Sequence, residues 1–182
     1  MIQNNNPIFL VSMPQLGDPN FFRSVVLILQ HDSEGAFGLI INHPADLNLG
    51  AFARSQKILC HADLAKSPVL KGGPVEPERG WILHQDGSIA ERQEVIPGLF
   101  LSHTSDTLKQ MLQAGSRPFR LILGYAGWGA GQLEKEMQEG SWITVEASSK
   151  HVLQTETPLV WGAVLQELGV DPLKLIPVSG VH

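Results

Sequence analysis

The sequence predicts a mixed α/β fold that is antiparallel in its first half and contains most of its helices in its second half. Three observations lead to this prediction. Apolar runs of strand length, bounded by glycine, proline and aspartate, fill the first half of the chain. Apolar residues recur at helical spacing after Ser102. Between these helical segments, strand-like runs return.

The N-terminal third is predicted to contain three strands. The first is the apolar run 8–13, and the following segment, 14–20, contains prolines and a glycine that exclude a helix. Residues 25–31 and 36–42 are apolar runs separated by DSEG, a spacing that predicts a hairpin with a four-residue connection. Both runs lack a polar face, so we expect them to be buried on two sides.

The middle of the chain has a weaker hydrophobic pattern, and we expect the segment from Pro44 to Pro68 to be peripheral. Within it, apolar residues at helical spacing predict a short helix over 47–55. Residues 68–74 and 79–85 are predicted strands around the connector VEPE. An Asp-Gly pair follows the second of them and predicts a tight type I′ turn before a further strand at 98–102.

The second half alternates helices with strands. Thr104 or Ser105 is suited to cap a helix over 105–115, which Gly115 would end. Thr157 is the predicted cap of a helix over 157–169. The remaining predicted elements are a strand at 119–125, a short helix after Gly131 and a strand at 141–147. The whole chain, residues 1–182, is expected to form one domain.

The glycine-rich stretch GYAGWGAG, residues 124–131, has two interpretations. It is either a phosphate-binding loop or the turn between a strand and a helix. Its glycine spacing fits neither the dinucleotide nor the P-loop fingerprint, and Glu134 already supplies negative charge at the helix start. We therefore predict a turn with Trp128 packed over it. A ligand contact through Gly127, Trp128 and Gln132 is the alternative, and such a ligand would be neutral or cationic rather than a nucleotide.

A second glycine-containing stretch lies at residues 70–81. Gly72 and Gly73 permit close backbone approach, and Lys71 and Arg79 supply positive charge nearby. The stretch could form a small anion-binding nest with Trp81 beside it. The alternative is a kinked strand exit with solvated charges.

Nucleophilic catalysis would require a serine or cysteine together with a base. Ser102 and His103 are adjacent, so on a strand their side chains point to opposite faces and cannot pair. A distant pairing such as Ser102 with His84 stays open, and Thr104 is a further candidate hydroxyl. No nucleophile-elbow motif occurs in the sequence.

The other polar side chains are predicted to be structural. His31 ends a strand beside a turn, where a solvent-facing role is expected. The carboxylate pairs Glu76/Glu78 and Glu134/Glu136 are expected to be exposed surface charge. We expect neither a metal site nor a bound cofactor.

Composition restricts the class of protein. The chain has 13 basic and 18 acidic residues, a net charge of −5, which argues against nucleic-acid binding. The single cysteine excludes an intramolecular disulfide. The N-terminus has no signal-peptide pattern, and no apolar run is long enough to span a membrane. We therefore expect a cytoplasmic protein without membrane contact.

Several blocks of the sequence together resemble the AlgH/YqgE family of bacterial proteins. They cover nearly the whole chain in the family's order, and the sequence departs from the family at 44–67 and at its C-terminal end. The blocks are FLVSMPQLGDPNFFRSVVLILQHDSEGAFGLIIN (9–42), GGPVEPERGWILH (72–84), GYAGWGAGQLEKEM (124–137) with Trp142, and LGVD (168–171).

The resemblance implies a bifurcated, largely antiparallel sheet with a small barrel-like part, flanked by helices. Family members are often labelled transcriptional regulators, and the resemblance carries over no catalytic residues. It implies no particular ligand, partner or oligomeric state.

Three functions follow as hypotheses. The first is a non-enzymatic regulatory or binding module that contacts a protein or small ligand at residues 72–80 and 124–132. The second is an enzyme, such as a hydrolase, with its site at the same two stretches. The third is a transcriptional regulator that contacts DNA, although the sequence lacks a helix-turn-helix pattern.

Overall fold

The structure is a computed structural model that describes residues 6–115 and 117–175. The C-terminal end, where the sequence departs from the family, lies outside the described residues. The strands are β1 (Ile8–Ser12), β2 (Val25–Asp32), β3 (Gly35–Ile40), β4 (Pro44–Asn48), β5 (Pro68–Lys71), β6 (Val75–His84), β7 (Gln93–Ile96), β8 (Leu99–Ser102), β9 (Phe119–Gly129) and β10 (Trp142–Glu146). The helices are α1 (Leu49–Ser55), α2 (Ser105–Ala114), α3 (Gln132–Gln138), α4 (Ser149–Leu153) and α5 (Val160–Glu167), with short 3-10 turns between several of these elements.

The strands form a single branched sheet. Its main path runs β10-β1-β2-β3-β9-β6-β8-β7, with antiparallel pairing at every step. The branch consists of β5, which pairs in parallel with β9, and β4, which pairs with β5. The sheet curls into a half-barrel. The mixed α/β class, the bifurcation and the barrel-like part are therefore confirmed.

The branch arises on β9, the longest strand described. Its last residues, 126–129, pair with β3, whereas its residues 122–123 pair with β5. Gly72 joins the two branches, because its carbonyl accepts a hydrogen bond from Ile40 of β3 and its N–H donates to Leu123 of β9. The chain after β5 thus crosses directly against β9 where the sheet divides.

Three glycines make this crossing possible. A Cβ atom added to Gly72 would lie 2.3 Å from the Gly124 carbonyl oxygen, and one added to Gly73 would lie 2.2 Å from the Tyr125 carbonyl. Gly124 has a φ of +75°, and a Cβ there would lie 2.6 Å from the Gly73 carbonyl oxygen. Only glycine has both the backbone freedom and the small size for this position.

Apolar side chains pack on both faces of β6 and β9 because neighbouring residues on a strand point to opposite faces. One cluster contains Leu83 and Ile122 and is covered by α4 and α5. The opposite cluster contains Ile82 and Leu121 and is covered by α1 and α2. A third cluster lies under α3, with Trp128 and Trp142 at its centre (its other buried members are Leu10, Val26, Ile28, Ala36, Ile40, Ala126 and Leu133).

Most predicted elements are present, and the clearest is α2. Thr104 caps it by accepting a hydrogen bond from the Thr107 N–H, and Gly115 ends it in the left-handed conformation at φ +63°. The hairpin of β2 and β3 is confirmed, but its turn is tighter than predicted because both strands extend into the DSEG segment.

Three local predictions were wrong. Asp86-Gly87 does not form a type I′ turn, because Gly87 lacks a positive φ and the next strand begins only at Gln93. Thr157 does not cap α5, which begins at Val160 without a side-chain cap after a 3-10 turn. Residues 124–129 are a strand rather than a turn, and only Ala130 and Gly131 connect that strand to α3.

The branch point yields a prediction about stability. We expect Gly124→Ala to lower the free energy of unfolding by about 2 kcal/mol or more, because the left-handed backbone costs about 1–2 kcal/mol and the new Cβ would clash with Gly73. Gly98→Ala is the matched control, since Gly98 has a φ of +76° and nothing within 4 Å of its Cβ position. Urea unfolding of both variants measures the difference. Equal losses would show that the close backbone approach contributes nothing.

Candidate functional site

A groove lies between α1 and α2, above the face of β6 and β9 that carries Ile82 and Leu121. Its volume is about 630 Å³, within the usual range for small-molecule sites. We call it the α1–α2 groove. Its walls contain Phe52 and Gln56 on the α1 side and Leu108 on the α2 side.

Gly80 opens the floor of the groove. The Cβ position of Gly80 is 3.8 Å from the nearest described atom, on Leu121, and its backbone has no positive φ. A side chain there would therefore extend into the groove without strain. A glycine inside a strand often marks a place where something else approaches the backbone, and this is the one signal in the sequence that pointed to the floor.

The rim of the groove carries few charges. Glu78 and His103 are the titratable side chains in its lining, and Thr104 and Ser105 contribute hydroxyls at the start of α2. Thr104 is occupied as the helix cap. His103 touches the edge of the Trp81 ring, with ring centroids 6.4 Å apart. The groove thus combines an apolar floor with a polar, weakly charged rim.

Of the predicted site residues, Thr104 alone lines this groove. The stretches 72–80 and 124–132 do meet, but they meet as backbone against backbone at Gly72, Gly73 and Gly124 rather than around a cavity. The predicted anion nest is therefore filled by the chain itself. Lys71 lies on β5 at the branch.

Arg79 and Trp81 lie together on the bulged part of β6. The Arg79 guanidinium is 4.5 Å from the centroid of the Trp81 ring and also pairs with Glu76 at 3.1 Å. Trp81 is buried among Phe37 and Tyr125, and its indole N–H has no hydrogen-bond partner in the described part of the chain. These residues face away from the α1–α2 groove, because Trp81 points to the opposite side of β6 from Gly80.

Trp128 and Gln132 belong to a structural cluster around Glu136. One oxygen of Glu136 accepts hydrogen bonds from the indole N–H groups of Trp128 and Trp142, at 3.0 and 2.8 Å. The other accepts one from Gln132, whose own oxygen binds the Gly129 N–H. Glu136 is thus a structural acceptor that joins α3 to two strands, and the prediction that it is simple surface charge was wrong.

Gly127 itself is exposed on β9, opposite Phe37 of β3. His31 also differs from its prediction, because its Nε2 lies 2.7 Å from an oxygen of Glu134 and so ties β2 to α3. A hydrogen bond from its own backbone N–H, and then the one from His31, lowers the pKa of Glu134. Both acids of this helix therefore stabilise its docking.

Ser102 and His84 do lie side by side, at 2.9 Å, but they are fully buried. His84 Nδ1 accepts a hydrogen bond from the Asp86 N–H, so the neutral ring carries its proton on Nε2 and donates it to Ser102. The Ser102 hydroxyl in turn donates to the Glu91 carbonyl. In the His84–Ser102 hydrogen bond the histidine donates to the serine, whereas a histidine that activates a nucleophile must accept the proton of the serine hydroxyl.

Within residues 6–115 and 117–175, no three histidine, cysteine or acidic side chains are grouped to hold a metal ion. No helix of the described residues is both long and apolar enough to cross a membrane.

Comparisons of the chain with known proteins all indicate the same family. Residues 9–173 match the family model described as AlgH-like. A protein named UPF0301 protein from Myxococcus xanthus is 46% identical over 181 residues, covering 100% of both chains. A protein of the same name from Verminephrobacter eiseniae is 40% identical and covers 94% of this chain and 92% of its own.

Two solved structures share the fold. The solution structure of the AlgH protein from Pseudomonas aeruginosa matches with a TM-score of 0.75 at 34% identity and covers 100% of both chains. A crystal structure of a Corynebacterium diphtheriae protein matches with a TM-score of 0.71 at 21% identity, over 92% of this chain and 89% of its own. The second likeness concerns the fold alone.

The buried pair predicts a structural role for Ser102. We expect Ser102→Ala to lower the free energy of unfolding by about 1–3 kcal/mol, because it leaves the His84 N–H and the Glu91 carbonyl unpaired. Ser105→Ala, at an exposed hydroxyl, should change it by less than about 0.5 kcal/mol. Denaturant unfolding measures both. Covalent labelling of Ser102 in the folded protein by a fluorophosphonate would contradict the structural assignment.

Histidine burial predicts a dependence of stability on pH. Burial lowers the pKa of His84 and, in the same way, the pKa of His43. The unfolded chain therefore binds more protons than the folded protein below about pH 6.5. We expect the free energy of unfolding to fall as the pH drops below this value. Urea unfolding at pH 7.5 and 5.5 tests this, and the loss should be smaller in His84→Asn.

Proposed function

The chain belongs to the AlgH-like family, and we propose that it is a cytoplasmic, non-enzymatic binding module whose ligand site is the α1–α2 groove. The observation that supports this proposal most directly is the open floor at Gly80. An apolar floor without a side chain, between walls from two helices, is suited to hold an apolar group.

The rim indicates the class of ligand. Glu78 is the only carboxylate among the described residues of the rim, and His103 and Ser105 can donate or accept hydrogen bonds. A molecule with an apolar body and an amine or hydroxyl end matches this arrangement. An anionic end would meet Glu78, and no described residue of the lining is a lysine or arginine that would compensate for it.

The hydrolase alternative has weaker support. Its best candidate pair, Ser102 and His84, is fully buried, does not line the groove, and is hydrogen-bonded in the unproductive direction. Direct DNA binding is also poorly supported, because a net charge of −5 opposes contact with phosphates. We therefore assign any regulatory role to ligand or protein contact.

The groove can be tested by filling it. We expect phenethylamine and 2-phenylethanol to shift the amide resonances of Leu108, Leu121 and Leu123 in NMR titrations, and phenylacetate to bind more weakly. Gly80→Leu should weaken binding of the first two compounds by at least about tenfold, because its side chain occupies the floor. Thermal unfolding with each compound gives a second measurement, since a ligand at 100 times its Kd stabilises a protein by about 2.7 kcal/mol.

Gly127→Leu is the matched control. Gly127 also lies on a strand without a positive φ, its Cβ position is 3.7 Å from the nearest described atom, and it belongs to the stretch 124–132. Binding that is lost in Gly127→Leu but retained in Gly80→Leu would show that the ligand binds at the glycine-rich stretch and not in the α1–α2 groove. Turnover of an ester or amide that Gly80→Leu abolishes would contradict a non-enzymatic role.

A further inference from the structure

A second groove lies on the opposite side of the sheet, beside α5. Its volume is about 670 Å³, and it is bounded by the turn at residues 22–23, by His43 and by the 3-10 turn at 172–175. We call it the α5 groove. It shares no lining residue with the α1–α2 groove.

The α5 groove gathers exposed apolar side chains. Six large apolar residues are exposed in the described part of the chain, and three of them line this groove: Phe22 at 67%, Leu159 at 59% and Leu173 at 75% exposure. Large apolar side chains exposed together mark an interaction site more often than scattered ones do. Pro158 and Pro172 add further apolar surface.

Arg23 supplies one positive charge at the end of this apolar surface. Its guanidinium lies 5.1 Å from the centroid of the Phe22 ring and 5.3 Å from that of Trp161. It makes no ion pair or side-chain hydrogen bond within the described residues. Its backbone has a φ of +47°, which is unusual for a residue other than glycine. The fold thus holds over two aromatic rings at the groove a guanidinium that has no ion-pair partner in the described part of the chain.

Among the described residues that line the α5 groove, Arg23 is the one permanently charged side chain. Among the described residues that line the groove there is no aspartate or glutamate. Asp171 lies outside this lining, and its carboxylate accepts a hydrogen bond from the Leu173 N–H. On a chain with a net charge of −5, this is a local region suited to an anion.

We propose that the α5 groove binds a small aliphatic carboxylate, with its chain against Phe22, Leu159 and Leu173 and its carboxylate on Arg23. A guanidinium matches the two oxygens of a carboxylate with parallel hydrogen bonds. The aromatic rings beneath Arg23 restrict its movement and so favour this geometry. This site is independent of the proposed function, which concerns the other groove.

The charge requirement can be tested with three probes of equal chain length: octanoate, octanol and octylamine. In NMR titrations that follow the amides of Gly162 and Ala163, we expect octanoate to bind most tightly and octylamine most weakly. Arg23→Gln should weaken the binding of octanoate by about tenfold or more, because a charge-assisted pair is lost. The affinity for octanol should stay unchanged. Octylamine binding as tightly as octanoate, or an unchanged affinity of Arg23→Gln for octanoate, would overturn the proposal.

The location can be tested with Gly162→Leu. A Cβ at Gly162 would be 3.9 Å from the nearest described atom, on Pro172, and the residue lies in α5, where leucine favours the helix. We expect this variant to keep its thermal stability and to lose both octanoate and octanol binding. Octanoate binding that survives Gly162→Leu would overturn the site. Gly80→Leu should leave octanoate binding intact. The proposals for the two grooves can therefore be contradicted independently of each other.

Discussion

The architecture depends on one close contact, the crossing of Gly72 and Gly73 against Gly124. A strand has two hydrogen-bonding edges, yet β9 pairs with β3, β5 and β6. It can do so only if two of these partners share one edge in succession, and the chain must then pass within backbone distance of β9. Side chains at the crossing would hold the two segments apart, so the branch requires glycine there.

The same crossing explains why the glycine-rich sequence resembles a ligand loop without being one. Glycines that let a phosphate approach the backbone also let another strand approach it. In this protein the approaching group is another segment of the chain. The charged half of the motif is structural as well, because Glu136 satisfies two buried indole N–H groups with one carboxylate. Buried polar groups that lack such a partner are costly, so this carboxylate gives α3 a defined position between β9 and β10.

The sequence predicted elements whose signals are local. Helix α2 has its cap, its apolar face and its terminal glycine within a single short segment, and all of these were found. Features that depend on distant partners were not predictable. The pairing of Ser102 with His84 results from the register of β6 and β8, and β7 was missed because its short run has no pattern of its own. The α1–α2 groove combines Phe52, Gly80, Leu108 and Leu121 from separate elements, and of these only the strand glycine was a visible signal.

The two grooves lie on opposite sides of the sheet and differ in charge. Along β6, Ile82 lines the α1–α2 groove and Leu83 belongs to the cluster beneath α5, so the sheet and this buried cluster lie between the two sites. Coupling between sites requires an element with two alternative arrangements. Residues 81–84 of β6 are buried on both faces and pair with β9 without a break, and close-packed interiors of this kind deform little. Occupancy of one groove is therefore expected to leave the affinity of the other unchanged, and a chain with two such sites would respond to two ligands separately.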